Sequence, residues 1–439
     1  MSVDGENNID NFILNEANRC FNCVNKPCMR SCPLNNDIPQ IISLVKVEKY
    51  EEAYEVLTKT TVFPSIASLV CPHEKQCKSN CTAKFKGEAI DIGCVENFLG
   101  RLAIEKGWFF SNLSNNLTGL KFAVIGGGPA GLTASAFLAR NGAEVTIFEK
   151  QEKLGGILRY GIPEFRLDKS LLDEAIKKIL EIDIQVNFGD MFGLAYKRAI
   201  TVECGRKLGE NLFLDDLKEK FDAIFLAFGS NRSKPMSIMG EELNGVFGGN
   251  ELLECGNHPE YTGKEVFVSG GGNVAIDVAR TIKRLGAKSV KVVYRRSESE
   301  MPAEVKEIED AKIDGVEFLF HTNLLAIYGN DKVEEIECMK TFYDGEMVRE
   351  NLKNIEDSNF RIKADYVVMA IGSEVDIDLV NKLNLETDSK NHINIDENYS
   401  TSDDKVFAIG DVAGVKSTVA WAASSGRKAV QKFIELRSE

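Results

Sequence analysis

Twice along this chain a short apolar strand runs into a glycine-rich turn and then into a helix, and no other feature narrows the fold as much. The first copy reads KFAVIGGGPAGLTASAFLARNGAEVTIFEK from Lys121. Residues 121–125 form the strand and Gly126-x-Gly128-x-x-Gly131 the turn. A helix-like stretch then runs to Arg140, and a second strand ends in Glu149. A lone G-x-G-x-x-G is weak. Set between strand and helix, with an acid closing the next strand, it marks a dinucleotide-binding βαβ unit. Gly126 permits the tight turn, Gly128 lets backbone approach a pyrophosphate, and Gly131 lets the helix pack close to the strand. The helix N-terminus, opened by Pro129 and Ala130, faces the anion. Glu149 is placed to accept hydrogen bonds from ribose hydroxyls.

The second copy, EVFVSGGGNVAIDVARTIKRLGAKSVKVVYRR, has its strand at 265–269 and the turn Gly270-x-Gly272-x-x-Ala275. Ala at the third position is within the fingerprint. The strand that follows ends in Arg295-Arg296 rather than an acid. A guanidinium pair suits a 2′-phosphate and so points to NADPH, a solvated strand end being the plain alternative. Two dinucleotide sites with opposite charge signatures match the plan of a flavoprotein reductase, one domain for FAD and one for the nicotinamide nucleotide. The runs AIFLAFGS (223–230) and YVVMAIGS (366–373) each end in a small-residue turn, where each domain would close near its ligand. KVFAIGDVAG sets Gly410-Asp411 between a strand and a long helix-like stretch, positioned for the FAD.

The cysteines are crowded into the N-terminal part: of eleven, eight lie between Cys20 and Cys94. The odd total, and an N-terminus (MSVDGENNID) without a basic-then-apolar leader, argue against a disulfide scaffold and for the reducing cytoplasm. Cys20-x2-Cys23-x4-Cys28-x3-Cys32-Pro33 is one continuous wrap of four thiolates, closer to a ferredoxin run than to the paired knuckles of a zinc site. Cys71-Pro72-x4-Cys77-x3-Cys81 supplies three more. The fourth ligand of this second group is open between Cys94 and Glu96. Both lie in a stretch whose Ile92, Val95, Leu99 and Leu102 follow helical spacing. Helix residues two apart face different ways, so one of the pair is expected to reach the metal, and composition alone favours Cys94.

The expected class is therefore α+β and α/β. An N-terminal α-helical iron–sulfur domain (1–116) precedes two Rossmann-like domains, with the NADPH domain (233–373) inserted into the FAD domain (117–232 and 374–439). A chain with 44% hydrophobic and 27% charged residues is an ordinary globular one. It has no apolar run long enough to span a membrane as a helix. Fifty-three Lys and Arg against 67 Asp and Glu leave it at −14, a poor nucleic-acid binder. Cys204, Cys255 and Cys338 are each isolated, so no dithiol pair stands ready beside a flavin. Electrons taken from NADPH are expected to leave through the N-terminal clusters.

The chain resembles the glutamate synthase small (beta) subunit family. It is also similar to the N-terminal part of dihydropyrimidine dehydrogenase and to the large subunit of NADH-dependent reduced ferredoxin:NADP oxidoreductase. The resemblance runs from about Cys20 to Phe433. It rests on both Cys groups, both Gly turns, LGGILRYGIPEFRL (154–167), YRRSESEMPA (294–303) and IGDVAG (409–414). It implies FAD, NADPH and two [4Fe-4S] clusters, with Cys20, Cys23, Cys28 and Cys32 on one cluster and Cys71, Cys77 and Cys81 on the other. The family's non-Cys fourth ligand falls on Glu96.

The resemblance further implies FAD contacts at Val70, Lys150, Gly156, Ile157, Arg166, Gly410, Asp411 and Thr418. NADPH contacts fall on Gly270, Gly272, Asn273, Val274, Ala275, Arg295, Arg296, Ala370 and Gly372. A further basic residue found downstream of the Arg pair in some relatives has no clear match near Met301-Pro302-Ala303. Hydride transfer needs no protein acid or base, so no catalytic side chain is assigned. An FMN-binding barrel would need about 250 residues, for which the sequence leaves no room. The acceptor is thus expected to be a separate chain: a glutamate synthase large chain, another reductase such as a pyrimidine-reducing one, or ferredoxin.

Overall fold

The computed structural model describes residues 3–187 and 194–438. They divide into two compact units. One holds Met1–Arg159, Glu164–Gly229 and Ile377–Glu439; the other holds Tyr160–Pro163 and Ser230–Asp376. The cysteine-rich N-terminal segment shares the first unit with the first glycine turn.

The first unit is built on five parallel strands in the order Val406–Ala408, Ala223–Leu226, Lys121–Ile125, Glu144–Glu149, Ile200–Cys204. Strands covered on both faces read as continuous apolar runs, and in Lys121–Ile125 only Lys121 is exposed. The helix after the turn, Pro129–Arg140, is buried along its whole length. Its many Ala, Gly and Ser residues let strand and neighbouring helix approach closely. The C-terminal helix Val419–Ser438 packs against it so tightly that a Cβ on Gly426 would sit 2.4 Å from Ala130 O.

The N-terminal segment is helical because its apolar residues recur at helical spacing and polar caps close its ends. Asp37 accepts Gln40 N to start Ile38–Val45, and Asp91 accepts Cys94 N to start Ile92–Glu105. Ile13, Ile38, Ile41, Leu57, Ile92 and Leu99 form a core into which Cys77 and Cys81 are drawn. Arg140 ties this segment to the sheet. It is fully buried and donates from Nη1 to Thr58 O (2.5 Å) and from Nε to Ser111 O (2.8 Å). Burial lowers its pKa to about 10, which leaves it charged at neutral pH.

The second unit has its own parallel sheet, in the order Glu317–Leu319, Ser289–Val293, Glu265–Ser269, Tyr366–Met369, Val246–Gly248. It adds an antiparallel sheet of Thr322–Tyr328, Glu335–Tyr343, Leu352–Asn354 and Phe360–Lys363 that the sequence pattern does not separate out. The two runs expected to close each domain stop as strands at Leu226 and Met369. Their next residues bend beside the glycine turns.

Candidate functional site

The first turn is shaped by close backbone approach. Gly126 has φ +107°, and a Cβ there would lie 2.7 Å from Ala227 O, the first residue past strand Ala223–Leu226. A Cβ on Gly131 would lie 1.9 Å from Gly126 O. Gly128 caps helix Pro129–Arg140, and among the described residues, its chain neighbours aside, only Gly156 Cα, at 3.7 Å, comes near its would-be Cβ. Gly156, at φ +50°, would drive a Cβ to 2.7 Å from Gly128 Cα. The 126–131 turn and the 155–157 turn therefore face each other as bare backbone, a cradle that fits a pyrophosphate at a helix N-terminus.

Glu149 is buried, with Oε2 accepting Gly127 N (2.8 Å) and Oε1 accepting Gln151 N (2.9 Å). This holds the carboxylate at the edge of the turn with lone pairs to spare for ribose hydroxyls. Gly410 lies beside the same helix, since its Cβ would meet Ala130 Cβ at 3.1 Å, and its N donates to Ser425 Oγ. Burial raises the Asp411 carboxyl to about 6, against the opposing charge of His392. Thr418 caps the C-terminal helix by accepting Trp421 N. Val70 ends helix Pro64–Val70 half-buried, Ile157 and Lys150 are exposed, and Arg166 is half-buried.

The second turn repeats this build. A Cβ on Gly270 would be 2.2 Å from Ala370 O, which brings the 370–372 turn against it, and Ala370 is itself buried. Among the described residues nothing beyond the chain neighbours lies within 4 Å of a would-be Cβ on Gly272, so the turn is open where helix Asn273–Arg284 begins. Asn273 Oδ1 accepts Glu304 N at 3.0 Å, and Ala275 is fully buried while Val274 is half-buried.

Arg296 lies 3.9 Å from Glu300, over the Tyr294 ring, and its buried Nε finds no hydrogen-bond partner among the described residues. Arg295 is disfavoured as a cation first by burial and then by the neighbouring charges of Arg349 and Arg296. Three guanidinium groups with one orphaned buried donor fit a phosphate. Arg349 escapes a reading of the sequence because it arrives from the short turn Arg349–Asn351, between two strands of the antiparallel sheet and far along the chain from the Arg pair. Near Met301-Pro302-Ala303, where a further basic residue has no match, the chain instead places Glu300. Tyr343 Oη and Ser297 donate to it.

The thiols of the two cysteine groups are brought together around one core. The charge of Cys81 bears on Cys20 and on Cys28, and Cys23 bears on Cys20. Cys23 Sγ is 2.9 Å from Thr82 Oγ1, next to Cys81. The Glu96 charge bears on Cys32 and on Cys77, and the charges of Cys32 and Cys28 also bear on Cys77. The reason is local. Cys28 sits within the short helix Pro27–Ser31, whereas Cys32 leaves it in extended conformation. Its thiol turns to the backbone N–H groups of Asn36, Leu34 and Asn35.

Burial pushes the Cys28 and Cys32 thiols up to about 11, with the Glu96 charge adding to the rise at Cys32. Burial also raises the Glu96 carboxyl, against His73 and an Asn36 hydrogen bond. Asn36 orients Glu96: Nδ2 donates to Glu96 Oε1 at 2.8 Å, while Oδ1 accepts Thr60 Oγ1 at 2.6 Å. His73 places Nδ1 3.4 Å from Cys77 Sγ and Nε2 2.9 Å from Ser68 O. Cys71 is two residues earlier, at the end of helix Pro64–Val70. Cys94 is perturbed by burial, Asp91, Glu16 and Lys78, with none of the other thiols prominent around it. Among the described residues no three such donors converge as they would on a single ion. Buried thiols grouped with a buried carboxylate are a donor set whose charges iron–sulfur clusters would neutralise.

Residues 120–427 match the pyridine nucleotide-disulphide oxidoreductase family, and residues 6–108 match the dihydropyrimidine dehydrogenase domain II, 4Fe-4S cluster family. Among solved structures, Mycobacterium tuberculosis FprA in complex with NADPH aligns at a TM-score of 0.60. It shares 18% identity over 73% of this chain and 85% of that one, a likeness of fold. Fold, turns and cysteine segment together define an FAD- and NAD(P)H-linked iron–sulfur oxidoreductase. The chain is 33% identical to the Escherichia coli glutamate synthase [NADPH] small chain over 94% of its own length and 89% of the relative's. It therefore belongs to the glutamate synthase small-chain family. Two further relatives show how widely the architecture is used. The E. coli NAD-dependent dihydropyrimidine dehydrogenase subunit PreT is 30% identical over 95% of this chain and 92% of its own length. The NADP(+)-dependent formate dehydrogenase subunit beta of Moorella thermoacetica is 31% identical over 92% and 59%. Among the described residues no helix is long and apolar enough to cross a membrane.

Proposed function

We propose that the chain is an electron-input subunit that oxidises NADPH through FAD and passes electrons through two [4Fe-4S] clusters to a separate partner chain. Bound flavin supplies the change from a two-electron hydride to single electrons, and the clusters supply a one-electron relay. The chain's own residues bind and orient. Gly126, Gly128, Pro129, Ala130, Gly131, Gly156 and Gly410 form the flavin cradle, and Glu149 holds the ribose. Gly270, Gly272 and Asn273 receive the NADPH pyrophosphate, and Arg295 and Arg296 take the 2′-phosphate. In domain terms, residues 1–116 carry the clusters, 117–232 and 374–439 the FAD, and 233–373 the NADPH.

The observation that carries this reading is the interleaving of the two cysteine groups around one core. It supports Cys20, Cys23, Cys28 and Cys81 as one ligand set, and Cys32, Cys71, Cys77 and Glu96 as the other. In a chain whose Cys204, Cys255 and Cys338 are separate, such sets offer electrons a way out that a dithiol does not. The leading partner is a glutamate synthase large chain, supported by the 33% and 32% identity to two glutamate synthase small chains. The comparable identity to PreT supports a pyrimidine-reducing or ferredoxin-coupled acceptor as the second reading.

Anaerobic affinity purification from the source organism, with mass spectrometry of stoichiometric partners, tests the assignment. A co-eluting large chain that forms glutamate from NADPH, 2-oxoglutarate and glutamine is the expected result. A different stoichiometric oxidoreductase would replace it.

A further inference from the structure

Consecutive residues of the C-terminal helix touch the flavin turn and the cysteine core. Gly426 presses on the helix behind the first glycine turn, 2.4 Å from Ala130 O at its would-be Cβ. Arg427 reaches the N-terminal segment, where Nη2 donates to Leu34 O at 3.2 Å. Leu34 is two residues past Cys32, in a turn closed by Asn35 N donating to Cys32 O at 2.9 Å. Arg427 is only 6% exposed. Nη1 donates to Gln431 Oε1 at 3.1 Å, and the buried Nε finds no hydrogen-bond partner among the described residues. Among the described residues no carboxylate pairs with it. Burial disfavours its charge, while Cys32 and then Tyr399 are the groups that favour it.

A buried cation without a counter-ion costs several kcal/mol, and such groups persist where an anion completes them. A thiolate-ligated cluster is that anion, and each electron it takes adds one negative charge. We propose that Arg427 is a positioning residue that sets the reduction potential of the cluster ligated by Cys32, its buried charge favouring the reduced form on the side where the flavin half meets the cysteine core. The inference rests on the cluster assignment above. The electron given up by the flavin is the one the cluster gains. No bond forms or breaks at Arg427, and its proton stays in place.

An EPR-monitored redox titration of the loaded protein tests this, comparing the parent chain with Arg427→Gln, Arg427→Met and Arg427→Lys. The neutral variants should disfavour reduction of one cluster about tenfold, a midpoint ~59 mV more negative for a one-electron couple. Lys should restore most of the shift. The cluster of Cys20, Cys23, Cys28 and Cys81 should keep its midpoint and serve as the internal reference. Unchanged midpoints in the neutral variants, or a Lys variant that falls as far as Gln, would overturn the proposal. If both neutral chains lose iron while the Lys chain keeps it, the site requires the charge; if the Lys chain loses it as well, the role is packing and the proposal fails. A parent chain that takes up no iron would overturn the cluster reading itself, and the iron count reports that separately from any midpoint.

Discussion

Replacing Gly131 by Ala adds one carbon where the first turn has no room. The new Cβ would start 1.9 Å from Gly126 O, and ordinary contact begins near 3.4 Å. Helix and turn must therefore part. Neither side is a flexible side-chain tip: Gly126 is itself wedged against Ala227 O, and the helix is locked against the C-terminal helix at Gly426. Over-packing of this kind costs about 1–3 kcal/mol. If the misfit is taken up at the turn, FAD affinity falls about tenfold for each ~1.4 kcal/mol. The second turn is the built-in control, because Ala275 already occupies the equivalent position and is fully buried there. Ala275→Gly should lose only about 1 kcal/mol of helix propensity and keep nucleotide binding. Flavin content per chain after dialysis, with thermal unfolding alongside, measures both. A Gly131→Ala chain that retains its full flavin and unfolds at the parent temperature would refute the reasoning that close backbone approach shapes this site.

The remaining expectations concern charge and metal. Arg295→Ala and Arg296→Ala should each raise the KM for NADPH about 10- to 100-fold, the worth of one charged hydrogen bond, and leave NADH use unchanged in steady-state assays. Glu96→Ala should halve the iron bound, whereas Cys94→Ser should keep it, as colorimetric iron analysis would report; the reverse pattern would make Cys94 the ligand. Burial raises Asp411 from an ordinary 3.8 to about 6, so the folded chain holds its proton more tightly than the unfolded chain. Its contribution is thus complete below pH 3.8 and lost as pH rises through 6, about 3 kcal/mol in all. In denaturant unfolding of the flavin-free chain, Asp411→Asn should flatten the stability change between pH 4 and 6.

Local chemistry was the legible part. The glycine turns, their flanking strands and Glu149 could be placed because each depends on neighbours within a single βαβ unit. The helix carrying Glu96 was readable from the spacing of Ile92, Val95 and Leu99, all now buried. What the sequence hid is long-range. Spacing shows Cys32 only beside Cys20, Cys23 and Cys28, whereas the extended exit from the Pro27–Ser31 helix also brings it under the influence of Glu96, on a helix much later in the chain. Cys81 folds back to Cys20 and Cys28 by a similar extended exit from Lys78–Asn80. Arg349 bears on Arg295 from a short turn, Arg349–Asn351, between two antiparallel strands that left no motif. No motif marks Arg427, and only tertiary packing buries it against Leu34.

The most direct test of the account is the count of iron and acid-labile sulfide per FAD in anaerobically prepared protein. The two ligand sets predict about eight iron and eight sulfide for each flavin. About four of each would remove one cluster and with it the relay, and a chain that binds flavin but no iron would contradict the electron-input role altogether.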